Sequence, residues 1–147
     1  YSYLTGHQNL DIFRRYQQLP KSAISNVLKL FHLEEYANQK VSTYSSGMKQ
    51  RLSFATVFLK KPDIMILDEP FNTLDVESSA SLKALIQTLQ RDFGTTFIIS
   101  THDLRGISEI VNRLLILKSG QIVRDMRINA SSADDLEKIY IEAHQAL

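Results

Sequence analysis

Cysteine is absent from the 147-residue chain. That removes disulfides and thiolate metal sites, and it is compatible with a reducing cytosol. No apolar run approaches the ~20 residues needed to cross a bilayer. An excess of one charge is also missing: 17 Lys and Arg stand against 16 Asp and Glu, a net charge of +1. There is thus no electrostatic case for nucleic acid or for an anionic membrane. No signal-peptide pattern opens the chain. It starts at Tyr1 rather than at Met, which leads us to expect a fragment. Internal repeats and low-complexity linkers are missing too, so no second complete domain is expected. The length suffices for one domain with a real core, and 44% hydrophobic with 22% charged residues is ordinary for a globular protein.

What is present concentrates between Tyr44 and Asp75, YSSGMKQRLSFATVFLKKPDIMILDEPFNTLD. Ser45-Ser46-Gly47 opens an amphipathic segment, and a helix amino terminus preceded by small residues is a ready anion site. The apolar run Ile64-Met65-Ile66-Leu67 ends in Asp68-Glu69-Pro70. A buried strand delivering two adjacent acids at its carboxyl end can hold a metal ion beside a water-activating base. Alone, such a run is a weak signal, because acids also cap strand ends. Together the two pieces point to a nucleoside-triphosphate enzyme.

Along the chain, Thr5 can cap a helix over about Gly6 to Gln18, ended by Leu19-Pro20. A second helix starts at Ser22, with Ile24, Val27, Leu28 and Phe31 at helical spacing. Leu33 to Ala37 reads as a short helical turn and Asn38 to Thr43 as a loop, with no strand signal before Tyr44. Ser45 and Ser46 cap a helix from about Gly47 to Lys60, with Met48, Leu52, Ala55 and Leu59 as its buried stripe. Lys49, Gln50 and Arg51 crowd its first turn, where basic residues oppose the macrodipole unless something anionic binds nearby. Ile64 to Leu67 reads as a strand covered on both faces. Asp75 caps a helix from about Val76 to Asp92, with Ala80, Leu85, Ile86, Leu89 and Phe93 on one side and Gly94 at its end. Thr95 to Ser100 is a second buried strand, followed by His102 and by a short helix from Asp103 to about Val111. Arg113–Lys118 and Gln121–Ile128 form a hairpin about Ser119-Gly120. Ser131-Ser132 with Asp134-Asp135 resembles a capping arrangement for a last helix, about Ala133 to Ala146, with Leu136, Ile139, Tyr140 and Ala143 on one face. In open α/β sheets ligands gather at the carboxyl ends of strands, where His102 and the Asp68-Glu69 pair both lie.

In these residues, and in their order, the chain resembles an ATP-binding-cassette ATPase, the nucleotide-binding domain of ABC transporters. Tyr44-Ser45-Ser46-Gly47-Met48 stands where that family has its signature motif, LSGGQ. Ile64 to Glu69 resembles the Walker B strand, Asn72-Thr73-Leu74-Asp75 the D-loop and Ser100-Thr101-His102-Asp103 the H-loop. The resemblance implies an α/β fold of the P-loop NTPase type: a partial, mostly parallel sheet flanked by helices, with an amino-terminal helical subdomain. Residues 1–60 would be the helical and signature part and 61–147 the carboxyl-terminal part of the catalytic core. By the same resemblance Asp68 would hold Mg²⁺ through water, Glu69 would orient and deprotonate the attacking water, and His102 would contact the γ-phosphate. Ser45, Ser46, Gly47 and Met48 would meet ATP held by a second ATPase subunit, in a homodimer or heterodimer, and Asp75 would couple the two sites. Transmembrane permease subunits would be the other partners, with the protein at the cytoplasmic face of the membrane. Nucleic acid is not among the partners expected.

The departures are informative. Ser46 replaces a glycine and Met48 a glutamine of the motif, and the form SGMKQRL resembles the subfamily serving ABC-2-type exporters. The five glycines make no G-x-x-x-x-G-K-S/T phosphate loop. The chain is therefore expected to be a carboxyl-terminal portion of an exporter ATPase. Alone it would bind ATP·Mg²⁺ weakly or not at all, and it would be marginally stable or self-associating because two apolar strands lack a shared neighbour. A soluble ABC-type ATPase of DNA repair, chromosome maintenance or translation, and a non-catalytic docking cassette, are the alternatives.

Overall fold

The computed structural model describes residues 1–72, 74–128 and 133–145. Four helices begin on a side chain that accepts a hydrogen bond from their own first turn: Thr5, Ser45, Asp75 and Asp103. Each satisfies an N–H that the helix itself leaves unpaired. The expected Ser131-Ser132 cap lies outside the described residues, as does Thr73 of the D-loop-like stretch.

The chain divides into two compact units, residues 1–66 with 73–98, and residues 67–72 with 99–147. The first contains α1 (Gly6–Tyr16), α2 (Ser22–Leu30), a 3₁₀ turn at Val41–Thr43, α3 (Ser46–Phe58) and α4 (Val76–Phe93). Thr5 and Gln8 close a reciprocal capping box at the start of α1. The core is aromatic at its centre. Phe31 and Phe58 are fully buried with ring centroids 5.9 Å apart, and Phe93 meets Phe58 edge-on at 5.1 Å. These three rings tie the end of α2 to the ends of α3 and α4. Leu52, Phe54, Ala55, Phe58 and Leu59 form the buried side of α3, whereas Met48 is only half-buried. The helical pattern was legible, but a 3.6-residue stripe does not reveal that two phenylalanines beside it also turn inward.

One difference from expectation lies before Tyr44. A single antiparallel bridge joins Thr5 to Lys40. The Tyr44 hydroxyl is buried and donates to the Tyr36 carbonyl at 2.7 Å, and burial pushes its pKa up. The segment is therefore fixed by long-range pairing that no local periodicity announces.

Strands β1 (Ile64–Asp68) and β2 (Thr96–Ser100) pair with each other. Thr96 donates to the Asp63 carbonyl at 2.7 Å and Glu69 to the Ser100 carbonyl at 3.0 Å, so the two strands run parallel. The expectation that β1 is buried on both faces is corrected. Met65 is buried, but Ile64 and Ile66 are 58% and 76% exposed. Ile98 of β2 is 51% exposed. The apolar run is genuine; one face of it simply has no covering layer among the described residues.

The second unit contains α5 (Leu104–Ile107), β3 (Arg113–Lys118), β4 (Gln121–Arg127) and α6 (Ala133–Gln145). Helix α5 stops well short of the expected Val111; Gly106 in its middle is a poor helix former. Strands β3 and β4 form the expected antiparallel hairpin, with Ser119 and Gly120 both at positive φ (49° and 78°), the geometry a two-residue hairpin turn requires. A register shift at Ile116/Leu117 marks a bulge. Leu114, Ile116, Ile128, Leu136 and Ala143 close a small core between this hairpin and α6. On the other face Leu115, Leu117 and Ile122 are exposed.

Candidate functional site

Asp68 is the last residue of β1, and Glu69 follows it where the chain leaves the strand. The backbone of Glu69 has φ +45°, a left-handed conformation that is sparsely populated for residues with a Cβ. Its N–H donates to the Ser100 carbonyl at 3.0 Å and lies 3.3 Å from Ser100 Oγ. The Ser100 hydroxyl in turn donates to Asp68 Oδ1. The end of β2 thus holds the turn after β1 in its strained shape and orients the Asp68 carboxylate.

Glu69 and His102 come together. Glu69 Oε1 lies 2.7 Å from His102 Nδ1. Glu69 Oε2 is buried and has no hydrogen-bond partner among the described residues. A buried carboxylate oxygen without a donor is costly, and Oε2 is able to accept a hydrogen bond. The imidazole is largely exposed, with 74% of its side chain accessible against 32% for Glu69. The hydrogen bond that Glu69 accepts from His102 raises the His102 pKa above its ordinary 6.5; the Glu69 charge adds to this, burial opposes it, and the Asp103 charge adds least. Because the folded pKa is the higher one, the pair stabilises the fold fully below the unfolded pKa of His102. That contribution is lost as pH rises through the folded value. An NMR titration of His102 is expected to give a midpoint above 6.5 that falls in Glu69→Gln. An unchanged midpoint would show that the contact does not form in solution.

Beside this pair, His102, Asp103 and Leu104 face Glu137, Tyr140 and Ile141 of α6 across a cavity of about 240 Å³. The α6 residues carry no motif chemistry, and Ser100 stood out only as the first residue of the H-loop-like stretch. Sequence could have flagged only that Ser100 closes β2 on the same edge as Asp68.

No group of three His, Cys, Asp or Glu side chains among the described residues could hold a metal ion by itself. Mg²⁺ is typically bound by one or two carboxylates, with water and substrate phosphates completing the shell. The single Asp68 carboxylate at the strand end fits that donor set.

The other candidates belong to the first unit. Ser45 Oγ accepts from the Met48 N–H at 3.2 Å, and Ser46 and Gly47 are the first helical residues of α3. Asp75 caps α4, accepting from the Ser78 N–H at 2.7 Å and the Ser78 hydroxyl at 3.1 Å. The Ser78 backbone bond is the larger cause of a lowered Asp75 pKa, and its hydroxyl follows. Arg51, from the basic start of α3, lines a cavity of about 160 Å³ with Phe31, His32, Ser81, Leu85 and Thr88.

Residues 3–72 match the ABC transporter family model. The ABC transporter ATP-binding protein YcbN of Bacillus subtilis is 36% identical over 143 residues, covering 97% of this chain and 46% of its own length. The chain belongs to the ABC transporter ATP-binding family. The bacitracin transport ATP-binding protein BcrA of Enterococcus faecalis is 34% identical over 88% of this ABC chain and 42% of its own length. Spermidine/putrescine import ATP-binding proteins also match, at 30% identity for that of Oleidesulfovibrio alaskensis over 83% of the chain and 34% of its own length. The ABC chain thus spans about half the length, or less, of the curated relatives it matches.

Solved structures agree on the fold. The cbiO1 protein of Clostridium perfringens, part of the ABC transporter complex cbiONQ, superposes with TM-score 0.79 over 95% of this chain and 55% of its own at 23% identity. The ATP-binding cassette MJ1267 in its ADP conformation gives 0.82 over 99% of this chain and 64% of its own at 16% identity. The α/β fold expected from the motifs is that of ABC ATP-binding domains.

Proposed function

We propose that this chain is the catalytic-base and signature portion of an ATP-hydrolysing ABC transporter subunit. The observation that carries the reading is the Glu69 carboxylate. One of its oxygens is held by His102 at 2.7 Å, while the other is buried with no donor among the described residues, one residue from Asp68. A water donating to Oε2 would be oriented and deprotonated by Glu69 as it attacks the γ-phosphate. His102, held through Nδ1, keeps its other nitrogen for the phosphate. Asp68, oriented by Ser100, would hold Mg²⁺ through water, and that ion would supply charge neutralisation on the β- and γ-phosphates.

Ser45, Ser46, Gly47 and Met48 would meet the γ-phosphate of ATP bound to a second ATPase subunit, and Asp75 would lie across the same interface. The amino-terminal end of α3, the positive end of its dipole, suits an anion. Permease subunits are the proposed membrane partners, with the ATPase at the inner face of the membrane. No helix among the described residues is long and apolar enough to cross it. On α1 the exposed Ile12, Phe13 and Tyr16 form the apolar face we assign to the permease contact. Residues 1–60 would then be the helical and signature part and 61–147 part of the catalytic core. Export is the direction we propose, from the SGMKQRL resemblance. We also propose that the exposed faces of β1–β2 and β3–β4 are covered in the intact protein by residues outside this chain. The half-length coverage of its relatives supports this.

Light scattering on the intact subunit tests the reading. ATP with Mg²⁺ is expected to convert monomer to dimer, most fully in Glu69→Gln, whereas ADP should not. A mass that never responds to ATP would sink the proposal.

A further inference from the structure

Ser78 is not a motif residue, yet it touches both ends of the proposed interface machinery within one unit. Its N–H and hydroxyl hold the two oxygens of Asp75 at 2.7 and 3.1 Å. On its other side it meets Gly47. A methyl group built on Gly47 would lie 2.8 Å from Ser78 Oγ and 3.3 Å from Ser78 Cβ. The first distance is inside van der Waals contact, so the Ser78 hydroxyl fills the space that a side chain at position 47 would need. Glycine weakens a helix relative to alanine, and Gly47 does not adopt a positive φ that would require it. Close approach of Ser78 is therefore the reason the fold itself supplies for glycine here.

We infer that Ser78 is a positioning residue that locks the start of α3, Ser45 to Met48, against the Asp75 carboxylate. The inference rests on the reading above, in which Ser45–Met48 meet a nucleotide and Asp75 meets the other subunit. A shift of Asp75 on dimer closure then reaches Gly47 through a single hydroxyl. Ser78 itself contacts no reacting group; it acts through Asp75 and Gly47.

Two measurements test it. In urea unfolding of the intact subunit, Gly47→Ala is expected to lower the midpoint, and the loss should be at least halved when Ser78 is already glycine. Equal losses in both backgrounds overturn the contact. In the intact subunit, Ser78→Ala is expected to lower kcat for ATP hydrolysis about tenfold with KM for ATP within about twofold, and Ser78→Thr, which keeps the hydroxyl, should retain most of the rate. An unchanged kcat in Ser78→Ala beside an active wild type overturns the positioning role and leaves the ATPase reading intact. No hydrolysis by the wild type overturns both.

Discussion

Phe58→Ala is expected to lower the unfolding free energy by about 3–5 kcal/mol, read from urea denaturation. The side chain is fully buried, so the whole ring leaves a void rather than a surface dent. It also stands between two other rings, 5.9 Å from Phe31 and 5.1 Å from Phe93. Each aromatic contact adds about 0.5–1.5 kcal/mol beyond area burial. Three helices meet at these rings, so relaxation of one to fill the void would pull it off the others. A single domain commonly has only about 5–15 kcal/mol in total, so this one substitution removes a large share of the stability. A midpoint shift no larger than that of an exposed substitution such as Val57→Ala, at a residue 53% accessible, would contradict the packing described.

Glu69→Gln is expected to reduce kcat for ATP hydrolysis by the intact subunit about 10²–10⁴-fold, the range for loss of a general base. The amide is nearly isosteric, so the turn held by Ser100 and the strained φ of Glu69 remain. What disappears is the ability of Oε2 to take a proton. KM for ATP should change little, because the nucleotide does not bind through this carboxylate in the proposed mechanism. The His102 titration midpoint should fall in the same variant, since the hydrogen bond to a carboxylate and its charge, which together raise it, are gone. A drop in kcat with an unmoved His102 would mean that Glu69 acts without the histidine.

Local chemistry was legible in the sequence, and non-local geometry was not. Thr5, Ser45, Asp75 and Asp103 cap helices because each bonds an N–H only a few residues away. The Ser119-Gly120 hairpin follows from a turn that tolerates positive φ. Glu69 and His102 stood out because acids and a histidine closed two apolar runs, and the fold places them 2.7 Å apart. The exposure of Ile64, Ile66 and Ile98 depends on which layer covers a sheet, and an apolar run cannot report that. The positive φ of Glu69 depends on Ser100, 31 residues away along the chain. The approach of Ser78 to Gly47 likewise needs two helices in place before either residue shows its purpose.

In the proposed function Asp68, Glu69 and His102 act in catalysis only where the rest of the ATPase supplies a phosphate-binding loop, a pattern that these 147 residues lack. Phosphate release from ATP·Mg²⁺ by the purified 147-residue chain, measured beside the intact subunit, tests this most directly. No release above background is expected from the chain alone, and release from the intact subunit should be lost in Glu69→Gln. A robust rate from the chain alone that disappears in Glu69→Gln would contradict it, as would an intact subunit whose rate survives that substitution.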